Sequence, residues 1–271
     1  MKVALQLHLI PGEHTSEKLK WAGDHGVDGI EVSAFSKEAD YHEKLLRDFK
    51  HTPVPVVSMC GNPSFDFLDP DPEKRGISVA QSKQCLETCG RLGAVGQIVP
   101  PIFGKPRLND LSPLKDAVTL EKELLVELCK DLGEHAARHK TLFLLEPLNR
   151  YEQHLLRRQA DGVEIIKRCG HPSVRLISDL FHMHIEETDS PRAIREAGKY
   201  IKHVHLADNT RLEPGTGDLN FVACFRALYK AGFKGYMAFE CGISGNTPKE
   251  KEKALVKSLD FVRACIRKAK G

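Results

Sequence analysis

Four residues able to bind a metal ion or to move a proton stand at the ends of apolar, strand-like segments of the chain. Glu146 closes TLFLLE, Asp179 closes VRLISD, His205 lies near the end of IKHVHL, and Glu240 closes GYMAFE. The intervals between them are 33, 26 and 35 residues, each close to one strand–helix–strand repeat. Because consecutive parallel strands end at the same edge of a sheet, we expect the four side chains to meet there.

Three carboxylates and one imidazole in one place suit a hard divalent cation. This oxygen-rich donor set favours Mn²⁺, with Mg²⁺ or Co²⁺ as alternatives, and we expect one ion per subunit. A single glutamate at a strand end is more often ion-paired or capping, but four such groups on successive strands repel one another unless a cation lies between them. Burying even one unpaired carboxylate costs roughly several kcal/mol. Structural zinc is disfavoured because the chain has no CxxC motif.

A metal ion flanked by Glu146 and Glu240 is suited to removing a proton from the carbon next to a carbonyl. The cation polarises the carbonyl, one glutamate takes the proton to give an enediolate, and the other returns a proton. Return to the opposite face inverts the carbon, whereas return to the same face gives isomerisation or exchange. Loss of a β-hydroxyl from the same intermediate gives dehydration. The four ligands alone leave these reactions open.

The segments that must position these residues alternate between short β-rich runs and longer helical patterns, eight times along the chain. The predicted strands are 3–9, 28–32, 54–60, 95–99, 141–146, 174–179, 201–206 and 235–240. The predicted helices are 15–25, 37–50, 74–92, 117–139, 158–169, 190–198, 218–231 and 248–269. Eight repeats in 271 residues favour a closed (β/α)8 TIM barrel in a single domain, 1–271. An open doubly wound sheet is disfavoured because no GxGxxG motif follows the first strand.

The composition is that of an ordinary globular protein. With 40 Lys and Arg against 37 Asp and Glu, the net charge of +3 predicts no preference for nucleic acid or membranes. The first segment, MKVALQLHLI, is too short and too polar for a signal peptide or a membrane span, so we interpret it as the first strand. The eight scattered cysteines are interpreted as reduced thiols of a cytoplasmic protein.

Further polar residues follow the same strands and are expected to lie beside the metal. Arg150 and Glu152 follow the fifth strand, His182 and His184 follow the sixth, and Arg211 follows the seventh. A cation and imidazoles in these positions could hold sugar hydroxyls and an oxyanion. Substrate contact is favoured for His182 and Arg211, whereas a structural role is favoured for His184.

Two other features of these segments have a functional and a structural interpretation. His203 precedes the expected ligand in the seventh strand and is interpreted as supporting it or as a core residue rather than as a ligand. Gly215 and Gly217 lie where TIM barrels often bind a phosphate. Because Pro214-Gly215 also forms an ordinary turn, the turn is the favoured interpretation.

These motifs resemble the xylose-isomerase-like barrel family. LEPLNRYEQHLL, DLFHMHIEET and HVHLADNTRLEPGTGDLNF, followed by a late glutamate on the eighth strand, are most similar to its ketose 3-epimerase branch, the D-tagatose and D-psicose 3-epimerases. The similarity is strongest over 141–242. It implies a metal-dependent carbohydrate isomerase or epimerase that acts on a small sugar and forms a homodimer or homotetramer.

The resemblance also implies roles for individual residues. The metal ligands would be Glu146, Asp179, His205 and Glu240, and the acid–base pair would be Glu146 and Glu240. The ketose would be held near its first two carbons by a second set of residues: Glu152, His182 and Arg211.

The first strand departs from the family pattern. It contains LQLHLIPG where the epimerases carry aromatic pocket residues, so Gln6 and His8 are expected to face the substrate there. The substrate is therefore left open, and an inosose or oxo-sugar dehydratase and an aldose–ketose or hydroxypyruvate-type isomerase remain alternatives. A DNA-repair endonuclease of the same superfamily is disfavoured because the second and third strands, EVSAFS and VSMCGN, supply no histidine. A non-catalytic sugar-binding protein is also disfavoured, since both glutamates are present.

Overall fold

A computed structural model describes all residues, 1–271, as a closed barrel of eight parallel strands. Each strand pairs with the next along the chain, and the last pairs with the first. The strands are β1 Lys2–Gln6, β2 Gly29–Ser33, β3 Val56–Cys60, β4 Gly96–Val99, β5 Leu142–Leu145, β6 Val174–Asp179, β7 Ile201–Leu206 and β8 Tyr236–Phe239. The predicted (β/α)8 TIM barrel is confirmed.

Eight α-helices lie between the strands, and a ninth follows β8. They are α1 Thr15–Asp24, α2 Tyr41–Asp48, α3 Pro72–Leu92, α4 Ala117–Arg138, α5 Gln159–Cys169, α6 Leu180–Glu186, α7 Ser190–Ala197, α8 Phe221–Lys230 and α9 Pro248–Lys270. None of them is both long enough and apolar enough to cross a membrane. The eight cysteines are all unpaired.

The largest differences from the sequence prediction lie near the site. The first strand ends at Gln6 instead of continuing to residue 9, and Leu7–Leu9 form a 3-10 turn. The helix predicted from residue 37 begins only at Tyr41. The short helix α6 was not predicted. It starts immediately after Asp179, whose Oδ1 accepts the backbone N–H groups of Phe181 at 2.8 Å and His182 at 3.2 Å.

Because successive side chains of a strand point to opposite faces, the acidic residues at the strand ends lie above a layer of apolar side chains inside the barrel. Leu144 and Ile177 are fully buried and pack with Ile98 in a small cluster, separate from the large cluster that joins the strands to the helices. Because side chains alternate along a strand, Glu146 and Asp179 lie on the same face as Leu144 and Ile177. The acidic groups therefore stand at the carboxyl end of a packed barrel interior, where TIM barrels carry their active sites.

Candidate metal and acid–base centre

The four residues predicted from the strand ends meet at one point of the barrel. Asp179 ends β6, His205 lies in β7, and Glu146 and Glu240 directly follow β5 and β8. One potential ligand atom from each of the four lies within 4.8 Å of the others. The first three residues are almost completely buried, whereas the Glu240 side chain is 23% exposed. Solvent therefore reaches the cluster from the Glu240 side.

The donor atoms are arranged around Nδ1 of His205. This nitrogen lies 3.0 Å from Oε1 of Glu146, 3.0 Å from Oε2 of Glu240 and 3.9 Å from Oδ2 of Asp179. Three carboxylates and one imidazole nitrogen form a donor set that a hard divalent cation accepts. Because the group is buried and rich in negative charge, the residues present fit such an ion.

Arg211 supplies positive charge next to two of these carboxylates. Its Nη1 donates to Oδ2 of Asp179 at 2.7 Å, and its Nη2 donates to Oε2 of Glu240. The guanidinium also lies over the ring of Phe181, 4.6 Å from its centre. The backbone of Arg211 is left-handed, with φ of 59°. The Arg211 carbonyl accepts the N–H of Gly242 at 2.8 Å, so a conformation costing about 1–3 kcal/mol is held by the surrounding loops.

Burial and charge shift the pKa values of the cluster in different directions. Burial raises the pKa of the Glu146 carboxyl to about 7. Burial alone would lower the pKa of His205, but Glu240 and the other surrounding carboxylates raise it well above its usual value. Burial alone would also raise the pKa of Asp179, but the charge of Arg211 outweighs it and holds that pKa below its usual range. A carboxyl that titrates near neutrality beside one that stays ionised is typical of an acid–base site.

His182 and Glu152 are connected to the four-residue cluster through hydrogen bonds and close contacts. Nδ1 of His182 accepts a hydrogen bond from the Asn149 side-chain amide at 2.8 Å. The proton of a neutral imidazole is therefore on Nε2, which lies 3.7 Å from Oδ2 of Asp179. Glu152 accepts from the same Asn149 amide at 3.0 Å. The structure thus brings His182 to the site directly and Glu152 through Asn149.

His8 lines a cavity that opens beside Glu240. The cavity has a volume of about 480 Å³. Its lining includes polar side chains from the ends of β1, β2, β3 and β8 and from α1 and α2: Gln6, His8, Lys18, Ser33, Tyr41, Cys60 and Glu240. Gln6 donates to Oε1 of Glu240 at 3.2 Å, which connects the cavity to the metal cluster. Both Gln6 and His8 therefore face the expected substrate space, although His8 lies on the 3-10 turn rather than in a strand.

Two residues predicted to lie beside the metal have other partners. Arg150 donates through Nε to Oε1 of the buried Glu186 at 2.7 Å, so it stabilises the end of α6. His184 is 42% exposed at its side chain and lies 3.6 Å from Asp218 on the surface. The structure pairs Arg150 with an acidic residue on α6, a helix that nothing in the sequence analysis indicated.

The glycine-rich loop after β7 wraps around a carboxylate of the protein itself. Asp208 is buried and accepts the backbone N–H groups of Asn209 at 2.9 Å, Gly215 at 2.8 Å and Leu219 at 3.1 Å. Gly215 has φ of 95°, which favours glycine. These amides are already satisfied, so the loop is a turn, as the favoured interpretation held, and not a phosphate cradle.

Glu31 is the residue that sequence reasoning missed. It lies in β2, is almost completely buried and contacts His205 from the side opposite the metal cluster. His203 also contacts it, with Nε2 3.1 Å from a Glu31 oxygen, so His203 is not among the four ligands. The available signal was a charged residue in the middle of the otherwise apolar strand GIEVS.

The sequence profile described as xylose isomerase-like TIM barrel matches residues 19–265. The chain belongs to this family. Within the family, it is 30% identical to the 3-dehydro-D-guloside 4-epimerase of Escherichia coli strain K12, over 98% of this chain and 100% of that protein. The crystal structure of a 3-keto-D-glucoside 4-epimerase from E. coli superposes with a TM-score of 0.86 at 29% identity, covering 98% of this chain and 100% of that one.

A second group of family members consists of ketose 3-epimerases. The D-psicose 3-epimerase of Ruminiclostridium cellulolyticum is 34% identical over 132 residues, which is 47% of this chain and 45% of that protein. The predicted family is thus confirmed, and so is the predicted enzyme class, a carbohydrate epimerase. The relatives divide between epimerases named for carbon 3 and epimerases named for carbon 4.

Proposed function

We propose that this family member is a divalent-metal-dependent epimerase that inverts the hydroxyl-bearing carbon next to the ketone of a sugar. The observation that carries the proposal is the position of Glu146 and Glu240. They follow β5 and β8, the outer two of the four strands that supply the donor set, and each has an oxygen 3.0 Å from His205 Nδ1. Two bases that flank one point can serve the two faces of one carbon.

The protein groups divide the proton transfers between them. One glutamate removes the proton from the carbon next to the ketone, and the other delivers a proton to the opposite face of the resulting enediolate. Arg211 and the Nε2–H of His182 face the same space and would hold the oxygens on which negative charge develops.

A metal ion would be held by Glu146, Asp179, His205 and Glu240. When bound, a divalent cation supplies a Lewis acid for the carbonyl and the adjacent hydroxyl. The predominance of oxygen donors makes Mn²⁺ our first choice, ahead of Mg²⁺ and Co²⁺. We further propose a homodimer or homotetramer, which analytical ultracentrifugation would test.

Two substrate classes share the chemistry that this site offers. A 3-keto-glycoside would be inverted at carbon 4, and a free 2-ketose would be inverted at carbon 3; in each, the inverted carbon adjoins the ketone. The first class is favoured by the full-length similarity to the 3-dehydro-D-guloside 4-epimerase. The second is favoured by shorter segments of higher identity, such as 41% over 96 residues with the L-ribulose 3-epimerase of Mesorhizobium japonicum. We propose the 3-keto-glycoside as the first substrate to test.

The test is a panel of 3-keto-glycosides and free ketoses incubated in heavy water with Mn²⁺-loaded protein. We expect deuterium at the carbon next to the ketone together with the inverted epimer, read by NMR and mass spectrometry. The chelator-treated protein, with and without returned Mn²⁺, is the control. Deuterium gain with loss of water would replace the proposal by a dehydratase, and conversion of a ketose into an aldose would replace it by an isomerase. Full turnover after chelation would refute the metal centre.

A further inference from the structure

We infer that Glu31 is a positioning residue for the metal centre: it fixes the tautomer of His205 so that Nδ1 is free to bind the cation. The inference rests on the proposed metal centre and goes beyond it, because Glu31 contributes no atom to the four-residue donor set. It assigns to the second strand of the barrel a role in holding a ligand that the seventh strand supplies.

The two nitrogens of His205 face different groups. Nδ1 lies 3.0 Å from the carboxylates of Glu146 and Glu240, in the proposed metal site. Nε2 lies 3.1 Å from Oε1 and 3.2 Å from Oε2 of Glu31. A neutral imidazole carries one proton, and an ionised carboxylate can only accept a hydrogen bond. When a cation is held beside Nδ1, that nitrogen must offer its lone pair, so the single proton belongs on Nε2, where Glu31 accepts it.

The surroundings of Glu31 favour its ionised form. It accepts hydrogen bonds from Gln6 Nε2 at 2.9 Å and from Ser58 Oγ at 2.7 Å. His203 Nε2 lies 3.1 Å from Oε2. With His205, four donor groups converge on two oxygens, which is the full capacity of a carboxylate. A protonated acid would present a hydrogen to one of these donors, so this arrangement selects the acceptor-only form.

His203 supports this arrangement from the neighbouring position on the same face of β7. Its Nδ1 is buried and has no hydrogen-bond partner. A buried N–H at that position would be left without an acceptor, which is unfavourable, so the His203 proton also belongs on Nε2 and faces Glu31. Two imidazoles of one strand thus donate to one carboxylate, which restricts the ring orientation of His205.

A carboxylate behind a metal-binding histidine has a known energetic effect. It makes the imidazole a stronger ligand and prevents the ring from rotating, and removing such a partner weakens metal binding about 10- to 100-fold. Glutamine at position 31 has the same shape, but it has one acceptor oxygen and a donor NH₂ group. Its NH₂ would oppose one of the two imidazole N–H groups, so one histidine would have to change its tautomer or its orientation.

The experiment compares Glu31→Gln with Glu121→Gln by Mn²⁺ titration in a calorimeter. Glu121 is a matched control because it is equally buried and also pairs with a histidine, His154, at 2.5 Å, in a different part of the barrel. We expect Glu31→Gln to raise the Kd for Mn²⁺ 10- to 100-fold and Glu121→Gln to leave it unchanged. An equal Kd for Glu31→Gln and the unchanged protein would overturn the inference, as would an equal weakening in both variants.

A second measurement needs no substitution and therefore does not depend on a variant folding. Nitrogen-15 NMR of the Mg²⁺-loaded, unchanged protein reports which nitrogen of His205 carries the proton. We expect protonated Nε2 and a Nδ1 shift typical of metal coordination. A protonated Nδ1 in the loaded protein would overturn the inference while leaving metal binding intact. Absence of any metal binding by the unchanged protein would overturn the proposed metal centre and the inference together.

Discussion

The flanking positions of Glu146 and Glu240 predict that each glutamate serves one epimer. The two epimers present their C–H bonds to opposite faces, so each has its own base. Replacing Glu146 by glutamine should stop proton removal from one epimer, and replacing Glu240 should stop it from the other. Glutamine keeps the size and one oxygen of the side chain, so the donor set is disturbed less than by alanine.

The expected magnitude follows from the geometry. Oxygens of both glutamates lie 3.0 Å from His205 Nδ1, and the donor atoms of the cluster are no more than 4.8 Å apart. A carboxylate that gives one oxygen to a cation keeps a second oxygen, which must come within about 2.6–3.2 Å of the group it acts on for proton transfer. Removing a positioned base costs about 10²–10⁴-fold. Complete epimerisation uses both groups, so its rate should fall by that factor in each variant.

The assay starts from each pure epimer in heavy water at saturating Mn²⁺ and follows the C–H signal by NMR. In each variant, one epimer should still exchange its proton at a rate near that of the unchanged protein, and the other should not. The retained epimer should differ between the two variants. If both variants lost exchange from both epimers while still holding metal, a single base would serve both faces and the two-glutamate assignment would be refuted.

Three further predictions concern the substrate contact of Arg211, the ion pair between His154 and Glu121, and Gly76 in helix α3. Arg211→Met should raise KM about 10- to 100-fold, the value of a charged hydrogen bond or two, and should also lower Tm because Arg211 bonds the buried Asp179 at 2.7 Å. Arg150→Met should lower Tm and leave KM unchanged, because Arg150 bonds the buried Glu186 at 2.7 Å but contacts none of the four clustered residues. Burial alone would lower the pKa of His154, but the hydrogen bond to Glu121 raises this pKa above 6.5. The protonated His154 therefore contributes stability that is complete below pH 6.5 and is lost as the pH rises through the raised pKa. The Tm difference between the unchanged protein and His154→Gln should therefore shrink from pH 6 to pH 8. Gly76→Ala in α3 should raise the free energy of unfolding by about 0.5–1 kcal/mol, because alanine restricts the unfolded chain more than glycine does. The added Cβ would meet no atom within 4 Å, so it fits without strain.

Each of these has a result that contradicts it. An unchanged KM with a lowered Tm in Arg211→Met would make that residue a structural ion pair only. A Tm difference for His154→Gln that grows between pH 6 and pH 8, measured by differential scanning fluorimetry, would reverse the assigned sign. A chemical denaturation curve showing lower stability in Gly76→Ala would indicate a contact that the open space around this glycine does not show.

The meeting of Glu146, Asp179, His205 and Glu240 at one point could be predicted from the sequence, because it depends on two simple periods, the alternation along a strand and the length of the strand–helix repeat. Alternation along a strand places Leu144 beneath Glu146 and Ile177 beneath Asp179, and the repeat length brings those strand ends to one edge. The helix α6 could not be predicted in the same way. Asp179 ends a strand and caps the next helix with the same carboxyl group, so no glycine, proline or polar spacer separates the two elements.

Glu31 could not be predicted because its partners are distant in the chain. The apolar neighbours of Glu31 in GIEVS indicate a buried strand, but they do not show which groups its carboxylate contacts. His205 lies 174 residues later, and only closure of the barrel brings the two side chains to 3.2 Å. The placement of Arg150 was missed for a related reason, since its partner Glu186 lies 36 residues away on the unpredicted helix.

The proposed metal site and most of the cavity wall lie in different halves of the barrel, and this separation affects how a new substrate specificity can arise. The four residues proposed to bind the metal lie in or directly after β5 to β8, whereas most of the cavity wall comes from the ends of β1 to β3, with Gln6, Ser33 and Cys60. A segment covering roughly the first sixty residues could be exchanged between family members, or diversified in a library, while the reactive half is inherited intact. Glu31 and Gln6 lie in the exchanged segment, but they form hydrogen bonds with His205 and Glu240 in the other half of the barrel. Such grafts should keep activity only when they carry these two residues along.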